Sequence, residues 1–340
     1  MTRVWFNKTF SSVHGALELI RLGDASGSYH LICSSPNPHA IAPLAAHEAA
    51  VEPSGLKGAE YVDWCLGFCR DRRVDIFVPG KEASLAGARR GEFDAVGTRV
   101  MSAAPPAALD LLHDKAEFYR KALAPTAPAP GFAVFESLEQ FDAAYARMRA
   151  DYPMLCMKPS VSVYGIGFRR ILEDRSGFDL LMAGDAYRID LRSLRELLER
   201  AAAFRPMLLM PYLAGHEFSV DCVADGGALV CAVARRKPLS AGAGQEIVLR
   251  DDIQQACADL VAQFTLNSNV NIQFREGDQG LHVLEINPRM SGGIAMASLA
   301  GPNLPYLGLA VFDRGRDAVE VPALQAGLRV GETTRAVRLA

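Results

Sequence analysis

Three short apolar runs open the chain: Val4-Trp5-Phe6, His30-Leu31-Ile32-Cys33 and Asp75-Ile76-Phe77-Val78-Pro79-Gly80. The stretches between them have helical spacing. Val13 to Leu22 places Val13, Ala16, Leu17 and Ile20 on one face, and Ala59 to Arg70 does the same with Tyr61, Val62, Cys65, Leu66 and Cys69. Strands separated by helices restrict residues 1–110 to parallel βαβ units in a doubly wound sheet. The loops that face a ligand in such a sheet leave the carboxyl ends of its strands. Here they are Asn7–Ser12, Ser34–Pro38 and Pro79–Ser84.

The pattern then changes. Residues 103–132 are rich in Ala and Pro and carry one expected helix, Leu109 to Leu123. Beyond them the chain reads as α+β. Phe132–Val134, Met154–Lys158 and Met207–Met210 are expected strands; Leu138–Ala150, Leu191–Phe204 and Ile253–Phe264 are expected helices. Ser137 and Gln140 stand at capping-box spacing. Glu217–Val223 with Leu229–Ala234, and Val270–Arg275 with Leu281–Asn287, read as two hairpins across Gly-containing turns. The expected units are 1–110, 111–205 and 206–340.

With 36 Lys and Arg against 39 Asp and Glu in 340 residues, the net charge is −3. That balance excludes a strongly basic nucleic-acid binder. No apolar run reaches the roughly 18 residues of a spanning helix, and the polar start does not read as a signal peptide. Seven scattered Cys point to a reducing compartment, so a cytoplasmic location is expected. Cys65 and Cys69 read as small buried apolar residues. The seven His show no zinc-site spacing.

The richest segment is Leu284-Glu285-Ile286-Asn287-Pro288-Arg289-Met290-Ser291-Gly292-Gly293. Strand alternation puts Glu285 and Asn287 on one face. A carboxylate and an amide oxygen at that spacing can ligate a hard cation such as Mg²⁺. Gln273 on the neighbouring strand shares that face only if the pairing register is even. Arg289 offers a fork for phosphate oxygens, and Ser291-Gly292-Gly293 permits a turn that presents N–H groups to an anion.

This segment resembles the metal-binding strand of the ATP-grasp superfamily, in its carbamoyl-phosphate-synthase-like branch. Other pieces follow in the family's order. Asp114-Lys115 resembles the start of the ATP-grasp domain. Lys158-Pro159 with Tyr164-Gly165-Ile166-Gly167-Phe168-Arg169 resembles the nucleotide-binding lysine strand and glycine loop. Pro211-Tyr212-Leu213-Ala214-Gly215-His216-Glu217-Phe218-Ser219-Val220-Asp221 resembles the hinge and the strand after it. The resemblance covers about residues 110–310. It implies a Rossmann-like pre-ATP-grasp domain followed by a two-subdomain ATP-grasp fold.

The resemblance also implies roles. Lys115 and Lys158 reach ATP phosphates, and Gly165 and Gly167 let the backbone approach them. Met210, Tyr212 and Leu213 contact the base, and Glu217 the ribose. Gln273, Glu285 and Asn287 hold Mg²⁺, with Mn²⁺ as the alternative ion. Arg289 and Arg235, with Lys158, act at the reacting groups. Three departures stand out: residues 160–164 are poor in glycine, Pro211 preceded by Met210 replaces the usual hinge acid, and Gln273 stands where many relatives have a carboxylate. The implied reaction joins a small-molecule carboxylate, by default an amino acid or small peptide, to an amine. The alternative is an ATP-binding regulatory module with reduced catalysis. A dinucleotide oxidoreductase is discounted, because the turn after the first strand has no Gly before Gly15. The loop Asn7–Ser12 and the turn Pro79–Glu82 are the expected acceptor wall, and Gly242–Gly244 an expected flexible loop. Homodimers are common in the family.

Overall fold

A computed structural model describes residues 1–7, 13–162, 165–201, 203–239, 244–334 and 336–338. Among the described residues, the strands form three sheets in chain order. The first contains five parallel strands. Thr2–Phe6 lies at its centre, with Tyr29–Ser35 and then Glu48–Val51 on one side and Ile76–Val78 and then Arg99–Val100 on the other. The three anticipated apolar runs form the middle of this sheet. Glu48–Val51 and Arg99–Val100 complete it at the edges. The helix Val13–Gly23 buries Ala16, Leu17 and Ile20, and Gly58–Arg72 buries Tyr61, Val62, Cys65 and Cys69. All seven cysteines are buried.

The second sheet has the order Ala133–Phe135, Met207–Pro211, Leu155–Pro159, Arg169–Leu172, Arg188–Asp190. Met207–Pro211 pairs antiparallel with both of its neighbours. It therefore belongs to this sheet. Ser137 caps the helix Leu138–Asp151 through the N–H of Gln140. The Gln140 side chain accepts from Glu136 rather than from the cap residue.

The third sheet has six antiparallel strands, with Gly280–Asn287 at one edge, then Ser268–Gly277, Glu217–Asp225, Ala228–Arg236, Gln245–Val248 and Arg329–Val330. Both anticipated hairpins are present. Alternation divides its two faces. Phe218, Val220, Ile272, Phe274 and Val283 pack with Ile253, Leu260 and Val261 of the helix Asp251–Gln263. On the other face, Val223, Val233 and Ile247 meet Ile294, Ala297 and Leu304.

The single helix expected over Leu109–Leu123 is two, Pro106–His113 and Lys115–Lys121. Asp114 between them is extended, and its carboxylate accepts from the N–H groups of Ala116 and Glu117. Satisfying these amide donors starts a new helix at Lys115. Burial works against that carboxylate's charge, but the Ser160 hydroxyl and the two amides outweigh it and hold its pKa below the ordinary value.

Candidate functional site

The face of the third sheet that holds Val223, Val233 and Ile247 also carries two polar rows. Register pairs Arg235 with Ser219, Ser219 with Gln273, and Gln273 with Glu285, so four strands contribute one line of side chains. Asp221, Asn271 and Asn287 form the adjoining row. The even register that puts Gln273 on the face of Glu285 is therefore the one adopted. A register shift follows Gln273, where Phe274 pairs with Val283 and leaves Leu284 without a direct partner. Asn287 Nδ2 donates to Glu285 Oε1 at 3.0 Å, and Arg289 Nη2 donates to Asn287 Oδ1 at 3.4 Å. Arg289 also donates to the carbonyl of Met290. Gln273 Nε2 lies 3.5 Å from Asn271 Oδ1.

Two lysines from different elements converge on this edge. Lys115, in the first turn of its helix, places Nζ 3.5 Å from Glu285 Oε2 and donates to Ser162 O at 2.8 Å. Lys158 reaches from the second sheet and donates to Tyr119 Oη at 2.8 Å. Burial lowers the pKa of both lysines; Glu285 opposes that shift in each case. An ammonium that has lost hydration gains from an incoming anion, which suits phosphate binding.

Arg235 is 2% exposed. Its Nη2 donates to Asp221 Oδ2 at 3.0 Å and to the Ser219 and Ser291 hydroxyls at 3.1 Å each. Nη1 donates to Gln245. It sits directly beneath the turn after the Glu285 strand, since a Cβ on Gly293 would lie 2.4 Å from its Nη1. Its neighbours are paired elsewhere, Arg236 with Glu246 and Lys237 with Glu217.

At the hinge, Met210 is buried, and its strand partner is Cys156. The Tyr212 amide donates to Met154 O at 2.9 Å. The guanidinium carbons of Arg170 and Arg275 lie 4.8 and 5.3 Å from the Tyr212 ring centroid. Leu213 is buried. Glu217, anticipated at the ribose, pairs with Lys237 and stands 3.7 Å from Arg275. Gly165 and Gly167 both have positive φ, +67° and +83°. Tyr164, the loop residues 8–12 and residues 242–243 lie outside the described residues. On the acceptor wall, Asn7 donates to Tyr61 Oη at 3.1 Å, and Lys81 Nζ lies 3.8 Å from the Tyr61 ring centroid. Met290 packs against the cluster that holds Val4, Phe6 and Ile76, bringing the segment after Asn287 to the first sheet.

Sequence reading missed Tyr119 and Asp221. The signal for Tyr119 was its position four residues after Lys115 on one helical face. For Asp221 it was a carboxylate in an otherwise apolar strand.

Among the described residues, no three His, Cys, Asp or Glu side chains gather as a metal site. Glu285 with the amide oxygens of Asn287 and Gln273 is nevertheless a set of hard oxygen donors on one face, which fits Mg²⁺. Among the described residues, no helix is long and apolar enough to cross a membrane.

Lys115 of a helix and Lys158 of the second sheet thus face a strand pair rich in oxygen donors. Residues 203–336 match the family model described as "ATP-grasp in the biosynthetic pathway with Ter operon". The carbamoyl phosphate synthase large chain of Lachnoclostridium phytofermentans is 27% identical over 196 residues, which are 54% of this chain and 17% of that one. The chain thus spans about a sixth of the length of the curated relatives it matches. An L-amino acid ligase from Bacillus licheniformis superposes with a TM-score of 0.61 at 14% identity, covering 92% of this chain and 74% of that one. The biotin carboxylase domain of the Hydrogenobacter thermophilus 2-oxoglutarate carboxylase, solved as a dimer with MgADP, ADP and bicarbonate, gives 0.64 at 13%, covering 97% and 72%. The chain is similar to ATP-grasp proteins over residues 203–336 and shares the fold of these solved structures, and its three-sheet architecture is the expected one.

Proposed function

We propose that the protein uses ATP to activate a carboxylate as an acyl phosphate and joins it to an amine, releasing ADP and phosphate. The observation that carries this reading is the convergence of Lys115 and Lys158 on the strand pair of Gln273 and Glu285. Phosphoryl transfer asks a protein chiefly for positioning and for cations where charge develops. Lys115 and Lys158 meet the phosphates, and the turn at Gly165 and Gly167 lets backbone approach them. Met210, Tyr212 and Leu213 line the base, and Glu217 stands on the ribose side. Glu285, Asn287 and Gln273 would hold Mg²⁺, which when bound offsets phosphate charge.

The substrate carboxylate lies by Arg289, with buried Arg235 supporting the turn above it. A carboxylate oxygen attacks the γ-phosphorus, the bond to the β–γ bridging oxygen breaks, and ADP departs with that electron pair. The amine then attacks the acyl carbon, phosphate leaves, and the nitrogen loses a proton. An amino acid or small peptide is the proposed carboxylate, a reading supported by the fold shared with the L-amino acid ligase. The test is ATP turnover with Mg²⁺ against a panel of amino acids and dipeptides, reading ADP and product mass. Substrate-dependent ADP with a matching amide, lost in Glu285→Gln and Lys158→Ala, is expected. Tight nucleotide binding without turnover on any substrate contradicts the ligase reading and favours a regulatory module.

A further inference from the structure

The helix Lys115–Lys121 brings two side chains to adjacent residues of the metal-facing edge strand. Lys115 and Tyr119 are four residues apart and share a helical face. Lys115 meets Glu285, and Tyr119 Oη donates to the carbonyl of Leu284 at 2.8 Å. That carbonyl belongs to the outermost strand of its sheet, at the residue the register shift leaves unpaired. A hydroxyl has one proton to give. With it committed to Leu284, Tyr119 Oη faces Lys158 only as an acceptor, and Lys158 Nζ donates to it at 2.8 Å. The ammonium also stands 5.0 Å from the ring centroid. Tyr119 is 5% exposed, and burial pushes its pKa well up, so the phenol keeps its proton.

We propose that Tyr119 is a positioning residue: its hydroxyl holds the Lys158 ammonium toward the nucleotide phosphates and ties it to the strand that carries Glu285. Lys158 belongs to the second sheet and Leu284 to the third, so one hydroxyl links the two walls of the cleft. A lysine side chain has several rotatable bonds, and a fixed acceptor reduces the ordering left for the nucleotide to impose. Phenylalanine at 119 would keep the ring and its packing against Phe132, at 5.5 Å between centroids, and lose only the oxygen.

This proposal rests on the ATP reading of the cleft, and a double-mutant cycle separates the two. Calorimetry measures the affinity for Mg²⁺ with adenylyl-imidodiphosphate in wild type, Tyr119→Phe, Lys158→Met and the double variant. Melting temperatures establish that each is folded. Tyr119→Phe is expected to weaken binding about tenfold, the scale of a hydrogen bond to a charged group. Lys158→Met weakens it further, and the double variant is no weaker than Lys158→Met alone. If Tyr119→Phe binds like wild type, or its loss appears in full on top of Lys158→Met, the hydroxyl does not act through Lys158 and the proposal falls. A wild-type protein that binds no nucleotide overturns the ATP reading and the proposal with it.

Discussion

Gln273 stands directly across an antiparallel strand pair from Glu285, on the same face. A neutral amide therefore lies opposite the carboxylate of the proposed cation site. Fewer charged ligands mean weaker binding of hard divalent ions. Gln273→Glu is expected to tighten Mn²⁺ binding to the nucleotide complex by about tenfold, read by electron paramagnetic resonance. Glu285→Gln should abolish it. Equal affinity in wild type and Gln273→Glu would show that residue 273 does not contribute to the site.

Lys158 supplies a pH dependence. Burial depresses its pKa below the ordinary 10.5, with Glu285 and Cys156 opposing the shift. Its charge is present below the depressed value and lost as pH rises through it. Nucleotide affinity should therefore begin to fall at a pH below the usual lysine range. Phosphate favours the ammonium, so binding in that window takes up a proton. Calorimetry in two buffers of different ionisation enthalpy measures this uptake, and Lys158→Met should remove the Lys158 contribution.

Asp221 and Arg235 form an ion pair whose side chains are 1% and 3% exposed. Removing one partner strands the other charge away from water. Asp221→Ala should cost about 3–5 kcal/mol of stability, measured by urea unfolding. Asp221→Asn, which can still accept from the guanidinium, should cost less. Equal losses in the two variants would contradict a charge-specific role.

Adjacent glycines should respond differently to a methyl group. A Cβ on Gly293 would lie 2.4 Å from Arg235 Nη1, whereas one on Gly292 meets nothing within 4 Å. Gly293 has φ −101°, so its backbone accepts alanine and the cost is steric. Gly293→Ala should lose about 1–3 kcal/mol and disturb the turn after Asn287. Gly292→Ala should melt close to wild type. The melting temperatures of the two variants check this contrast.

The sheet-forming pattern was legible where apolar runs were long. Val4–Phe6, His30–Cys33 and Ile76–Val78 announce themselves, but Glu48–Val51 is half alanine and Arg99–Val100 is two residues long, so neither carries a periodic signal. The helix break at Asp114 was hidden because helical apolar spacing runs through it, while tertiary contact with Ser160 decides the cap. Glu285, Asn287, Arg289 and the two lysines were visible as motifs. Their union with Gln273 was not, because register depends on where the strand shifts. Tyr119 escaped notice because a tyrosine in an amphipathic helix reads as packing. Its carbonyl partner lies 165 residues away.

Transfer of label from the substrate tests the acyl phosphate most directly. An amino acid or dipeptide that stimulates ADP release is supplied with ¹⁸O in its carboxylate, and the released phosphate is weighed by mass spectrometry. The account predicts one ¹⁸O atom in each phosphate formed with the amide product. Amide formation with unlabelled phosphate, or with AMP and pyrophosphate in place of ADP, would contradict it.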